Sequence, residues 1–101
     1  MANITWSLEA VEDLNAIADS CETYSEAYAS SVITSIYDSV DRLKNFPRSG
    51  RMVPEFEFPQ LREVVLPKYR IIYFVSDEGN VEVITIRLTS KPLPPSVKPS
   101  T

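Results

Sequence analysis

The chain has no histidine and a single cysteine, Cys21, and these two facts restrict what its side chains can do. Without His the commonest general base and neutral-pH proton switch is missing, so any catalysis must rest on Lys, Arg, Tyr or a carboxylate. A lone thiol forms no intramolecular disulfide and, with no His beside it, offers no zinc-type ligand set; neither a metal nor a cofactor is expected. What remains is the chemistry of cations. Residues 48 to 101 carry Arg48, Arg51, Arg62, Lys68, Arg70, Arg87, Lys91 and Lys98 against six acidic side chains, a balance of +2, whereas residues 1 to 47 set eight acids against Arg42 and Lys44, a balance of −6. A guanidinium can grip a phosphate or carboxylate through two parallel hydrogen bonds, so the C-terminal half is the part suited to an anionic partner. A pI near 4.7 nevertheless lies well below that of a typical nucleic-acid-binding domain.

Those side chains must be positioned by a small scaffold. A chain of 101 residues is one domain by size, with no apolar run long enough to cross a bilayer and no signal-peptide pattern at Met1-Ala2-Asn3-Ile4. A cytoplasmic protein with no membrane association is expected. Asn3 to Trp6 reads as a short strand, after which Ser7 stands as an N-cap and Glu9 falls in the first helical turn, where the helix dipole favours negative charge. Leu8, Val11, Leu14, Ile17, Ala18 and Cys21 recur every three or four residues and predict one apolar helical stripe. Ser25 is a second N-cap candidate, and Ala29, Val32, Ile33, Ile36, Val40 and Leu43 continue the same period to about Asn45, ahead of Pro47. Two helices joined by so short a link run antiparallel and need a common apolar surface to cover.

That surface is a sheet. Leu61 to Leu66, Tyr69 to Ser76 and Val81 to Thr89 read as strands, with Asp77-Glu78-Gly79-Asn80 as the hairpin turn between the last two. Tyr69, Ile71, Tyr73 and Val75 share one face of the middle strand and Arg70, Ile72 and Phe74 the other; with both faces largely apolar, the strand is central and Arg70 is its odd residue. The expected fold class is α+β in the order β-α-α-β-β-β, an antiparallel helical hairpin packed on a small, twisted antiparallel sheet. Residues 1–90 form the single domain. Residues 91–101, with Pro92, Pro94, Pro95 and Pro99, read as a flexible tail.

Several local segments, in this order, resemble the toxins of the RelE/ParE superfamily. They are Trp6-Ser7-Leu8-Glu9-Ala10 with Asp13-Leu14; Phe46-Pro47 with Gly50-Arg51 and Val53-Pro54-Glu55; Leu61-Arg62-Glu63; and Tyr69-Arg70-Ile71-Ile72-Tyr73. The resemblance spans residues 4 to 88 and implies a bacterial toxin of a type II toxin-antitoxin, plasmid-stabilising system, held inactive by a cognate antitoxin. In the RelE branch such proteins cleave messenger RNA on the ribosome with cationic and Tyr side chains of the sheet. In the ParE branch the target is DNA gyrase and the nuclease set is missing.

Carried over residue by residue, the resemblance makes Arg62, Arg70 and Lys91 the phosphate-stabilising cations if the chain is an RNase, and makes Arg62, Arg70, Arg87, Tyr69 and Tyr73 the contacts for a target or antitoxin. Val64 stands where a second strand lysine would be needed, Leu88 where many relatives have His, and no Tyr follows Tyr73. Proton transfer to a leaving oxygen then lacks an agent, which favours the ParE-like reading. A degenerate, non-toxic module that only binds its antitoxin is the third reading. A homodimer or a toxin-antitoxin hetero-oligomer is the assembly expected.

Structural roles compete with each of these assignments. Arg70 would serve equally as a sheet arginine paired to Glu55 or Glu63. Gly50-Arg51 is read as shaping its loop, Gly through a backbone angle other residues resist and Arg51 through Glu55. Trp6 and Tyr37 are read as packing residues, and Cys21 as a small buried hydrophobe.

Overall fold

A computed structural model describes residues 1–93. Its elements are β1 (Ile4–Trp6), α1 (Leu8–Glu22), α2 (Glu26–Asp41), a 3₁₀ turn at Arg42–Lys44, β2 (Arg51–Met52), β3 (Leu61–Val65), β4 (Tyr69–Val75) and β5 (Val81–Leu88). Both helices begin where serine caps were expected. Ser7 Oγ accepts the Ala10 N–H at 3.0 Å, and Ser25 Oγ accepts that of Tyr28 at 2.9 Å, each satisfying one of the amide donors that a helix start leaves unpaired. Ser7 also donates to the Ile84 carbonyl at 2.7 Å, so the cap fixes the start of α1 to β5.

The five strands form one sheet in the order β1-β5-β4-β3-β2. Neighbours among β2 to β5 are antiparallel, as expected, but β1 pairs parallel to β5, Ile4 beside Val81 and Trp6 beside Val83, so the sheet is mixed rather than wholly antiparallel. Its members lie at opposite ends of the chain, and their relative direction depends on how the helical hairpin returns across the sheet, which no local pattern encodes. The two-residue β2 is a further addition, formed inside a stretch that reads as loop.

Alternation along β4 divides the interior into two layers. Ile71 joins Ala10, Leu14, Ile17 and Cys21 of α1, Ala29, Ile36 and Val40 of α2, and Val83 and Ile86 of β5 in the main core beneath the helices. Ile72, one residue along, joins Val53, Leu61 and Leu93 under Phe56 and Phe58, in a smaller cluster on the face away from the helices. Burial of each such aliphatic side chain is worth roughly 1.5–3 kcal/mol relative to exposure. The expected α1 stripe holds at Leu14, Ile17 and Cys21, but its first turn is displaced: Ala10 is fully buried while Leu8 is 76% exposed and Val11 faces solvent. The Ser7 bond to Ile84 holds the helix start against β5, where Ala10 is sealed from solvent.

One irregularity re-aims β5. The register passes from Ile72 opposite Thr85 to Tyr73 opposite Val83, leaving Ile84 as a bulge. Val83 and Ile86, three residues apart, consequently share the main core, while Ile84 packs with the smaller cluster. Arg87 is thereby placed directly opposite Arg70. Beyond the last β1 pair, Asp13 of α1 takes over the strand edge, its Oδ2 accepting the Ile86 N–H at 3.0 Å and the Thr85 hydroxyl at 2.6 Å.

Candidate functional site

The residues singled out from sequence fall on both faces of the sheet. On the face away from the helices, Glu63 and Arg70 are almost fully buried, at 1% and 6% exposure. Arg70 Nε donates to Glu63 Oε1 at 2.6 Å, while Nη1 and Nη2 donate to Glu55 Oε2 and Oε1 at 2.7 and 2.9 Å. The second Glu63 oxygen accepts from Arg51 Nε at 2.5 Å. Two cations and two carboxylates are thus interleaved, which is what makes a buried charge tolerable in a low-dielectric interior. Hydrogen bonding to Arg70 holds the Glu55 carboxyl at about 2, against an ordinary 4.5, and bonding to Glu55 raises the Arg70 guanidinium in turn. Arg51 reaches Glu63, not Glu55 as its loop position suggested, because β2 pairs Arg51 directly with Glu63.

Arg87, beside Arg70 on the neighbouring strand, is half-buried; its Nε donates to Thr85 Oγ1 at 3.1 Å and its Nη2 lies 3.5 Å from Glu9 Oε2. Every guanidinium placed on this face therefore meets a carboxylate of its own chain. Lys91 is exposed and lies past the end of β5.

On the helix-covered side, Arg62 stands opposite Tyr73 in the register of β3 and β4. Tyr73 has no exposed surface, and burial pushes its hydroxyl above its ordinary value. That hydroxyl accepts the Gly50 N–H at 2.9 Å, and Arg62 donates to the carbonyls of Gly50 and Pro59, each at 3.0 Å. Arg62 and Tyr73 thus tie down the ends of the loop between the 3₁₀ turn and β3. Gly50 is required here for closeness and not for a left-handed backbone. A Cβ there would come within 2.5 Å of the Tyr73 hydroxyl and 2.6 Å of the Glu63 carbonyl. Trp6 and Tyr37 pack against each other at 5.5 Å, although Tyr37 remains half exposed, and Cys21 is buried.

Tyr69 belongs to a different place again. It lines a groove of about 230 Å³ between α2 and the β3–β4 turn, walled by Tyr28, Val32, Leu66, Pro67 and Lys68. The floor is apolar and Lys68 supplies the cation at the rim, its Nζ bonded to the Tyr28 hydroxyl at 3.2 Å. Burial, and then Cys21, push the Tyr69 hydroxyl up. A second groove of about 400 Å³ follows the bare edge of β3 past Val64 and Val65, under Phe46, with Arg42 and Arg51 beside it.

The structure accordingly brings Arg70 and Arg87 together, and Arg62 with Tyr73, but joins neither pair to Tyr69. What sequence reasoning missed was the centrality of Glu63. The signal was present: Leu61, Glu63 and Val65 alternate on one face of a strand, and a carboxylate in an apolar alternation next to an arginine-bearing strand announces a buried ion pair.

The fold is a small α+β scaffold, two helices on one five-stranded mixed sheet. The sequence matches the family described as ParE toxin of type II toxin-antitoxin system, parDE, over residues 4–92, and the chain belongs to that family. It is a toxin of a type II toxin-antitoxin system within the RelE/ParE superfamily. Among individual relatives, Toxin RelE2 of Caulobacter vibrioides is 35% identical over 88 residues, covering 86% of this chain and 94% of that protein. The fold is shared with the chromosomal ParDE toxin-antitoxin system of P. aeruginosa, at a TM-score of 0.72 and 22% identity over 87% of this chain and 96% of that one. It is also shared with the RelBE2 toxin-antitoxin complex of Mycobacterium tuberculosis, at 0.64 and 14% over 86% and 96%.

Proposed function

We propose that the protein is a ParE-like toxin that acts by binding a protein target, DNA gyrase being the target the family implies, and that a cognate antitoxin neutralises it in the cytoplasm. The observation that carries this reading is the state of the arginines. A phosphate-stabilising cation must offer free N–H groups to the cleaved linkage, yet Arg70 gives Nε to Glu63 and both terminal nitrogens to Glu55. Arg62 gives Nε and Nη1 to loop carbonyls. With no His in the chain, and no Tyr after Tyr73, proton transfer at a leaving oxygen has no agent.

The antitoxin would enter along α2, where the two grooves combine apolar walls with Lys68 at one end and Arg42 and Arg51 at the other. An amphipathic segment with acidic flanks suits that lining. Toxin and antitoxin then form a hetero-oligomer. In a supercoiling reaction the purified protein is expected to convert plasmid to the cleaved form, and addition of the protein encoded by the adjacent reading frame to prevent it.

The second reading, a ribosome-dependent mRNA endonuclease using Arg62, Arg70 and Lys91, is favoured by the name of the 35%-identical relative, Toxin RelE2. Site-specific cuts in message during in vitro translation, lost in Lys91→Ala, would establish it against the first. Normal growth of a host expressing the soluble protein without its antitoxin would instead mark a non-toxic module.

A further inference from the structure

The helical hairpin carries an apolar patch of its own, apart from the two grooves, where α1 starts and α2 ends. Trp6 and Tyr37 meet there at 5.5 Å, and half of Tyr37 still faces solvent. Leu8 follows Trp6 by two residues and is exposed, and Val11, one helical turn further on, is exposed beside it. Ala10 takes the inward place in this turn, so neither Leu8 nor Val11 has an interior to enter. Single exposed apolar residues are ordinary, but four in one patch mark an interaction surface.

The charge around the patch says what fits it. Five acidic side chains lie in α1 and three in α2, and neither helix contains Lys or Arg. Glu12 stands one turn beyond Leu8 and Asp41 one turn beyond Tyr37, both exposed. Asp41 has Lys44 at 2.9 Å, whereas Glu12 has no ion pair among the described residues. A second copy of the chain would bring the same acids against these, because a two-fold contact repeats its own patch. Nucleic acid and an acid-flanked antitoxin segment are repelled for the same reason. We propose that Trp6, Leu8, Val11 and Tyr37, rimmed by Glu12 and Asp41, bind the toxin's protein target through a surface that is apolar at its centre and basic at its edge. This inference rests on the ParE-like reading above and supplies its contact residues. Target and antitoxin then use different surfaces of the hairpin, and their contacts can be altered separately.

The test uses the full chain and purified DNA gyrase, with a Leu8→Gln, Val11→Gln double variant, Glu12→Lys, and Lys68→Glu in the other groove. Cleaved plasmid in the supercoiling reaction is measured against toxin concentration, and binding of the protein encoded by the adjacent reading frame by calorimetry. Loss of an anchor at the centre of an interface weakens binding about ten-fold or more. The double variant and Glu12→Lys should each need about that much more toxin, with antitoxin affinity unchanged. Lys68→Glu should do the reverse. If the unaltered protein poisons gyrase and the patch variants poison it equally, the inference falls and the ParE-like reading stands; if the unaltered protein leaves gyrase alone, both fall. Patch variants that lose the antitoxin, or that change the sedimentation of the chain by itself, would assign the patch to the antitoxin or to a second copy and overturn the proposal. Should the double variant fold poorly by circular dichroism, the exposed Glu12→Lys decides alone.

Discussion

The two faces of the central sheet are built on different physics. The helix-covered face is an aliphatic interior in which Ile36, Ile71 and Val83 lose all contact with water, and its one sheet guanidinium among the described residues, Arg62, bonds loop carbonyls instead of a carboxylate. Among the described residues the opposite face is covered by a turn and a short stretch of chain, and its apolar cluster of Val53, Leu61, Ile72 and Leu93 is completed by the Arg51, Glu63, Arg70 and Glu55 array. Apolar packing is non-directional and loses stability in proportion to the volume removed, whereas an ion array is directional and fails abruptly when one member is neutralised. Loss of a partner, more than loss of volume, should therefore expose the difference between the faces.

The largest effect is expected at Glu63. Glu63→Ala leaves Arg70 buried without its inner carboxylate and should cost about 3–5 kcal/mol in urea unfolding. Ile36→Ala removes volume beneath the helices and should cost about 2–5 kcal/mol by the same measurement; a value for Glu63→Ala below about 1 kcal/mol would dissolve the contrast between the faces. Gly50→Ala forces a methyl against the Tyr73 hydroxyl and the Glu63 carbonyl and should cost about 1–3 kcal/mol, with Tyr73→Phe relieving part of that clash in the double variant.

The fourth effect is a pH dependence. The Glu55 carboxyl is lowered from 4.5 to about 2 by Arg70, so the ionised group stabilises the folded chain above pH 4.5, and that contribution fades as pH falls toward 2. Acid unfolding followed by circular dichroism should accordingly be shallower across this window in Glu55→Gln than in the unaltered chain; identical acid curves would remove Glu55 from the array. The smallest effect is expected at the surface pair Lys44 and Asp41, whose side chains are 46% and 68% exposed: Lys44→Ala should change stability by less than about 1 kcal/mol.

The sites were legible to different degrees. Arg70 stood out because it interrupts an otherwise apolar strand, and its two carboxylate partners were among those open to it from sequence. Arg87 did not declare its place: strict alternation from Val81 runs through Val83 and Thr85 to Arg87 on the core side, and only the bulge at Ile84 turns it toward Arg70. Gly50 was recognised as a loop residue for the wrong reason, since its need for a missing side chain comes from Tyr73, far along the chain. The groove containing Tyr69 exists because α2 and the β3–β4 turn stop short of each other, a relation between elements that neither one encodes.

Local pattern was enough to decide the identity and order of the helices, the serine caps, the hairpin at Gly79 and the central place of β4, because each depends on hydrogen bonds or periodicities closed within a few residues. The parallel pairing of β1 with β5, the bulge that sets two arginines side by side, and the capture of Arg70 by Glu55 and Glu63 were settled only by tertiary packing. Each joins groups remote in sequence, and the free energy that selects among such pairings comes from burial and charge compensation, which exist only once the layers have come together.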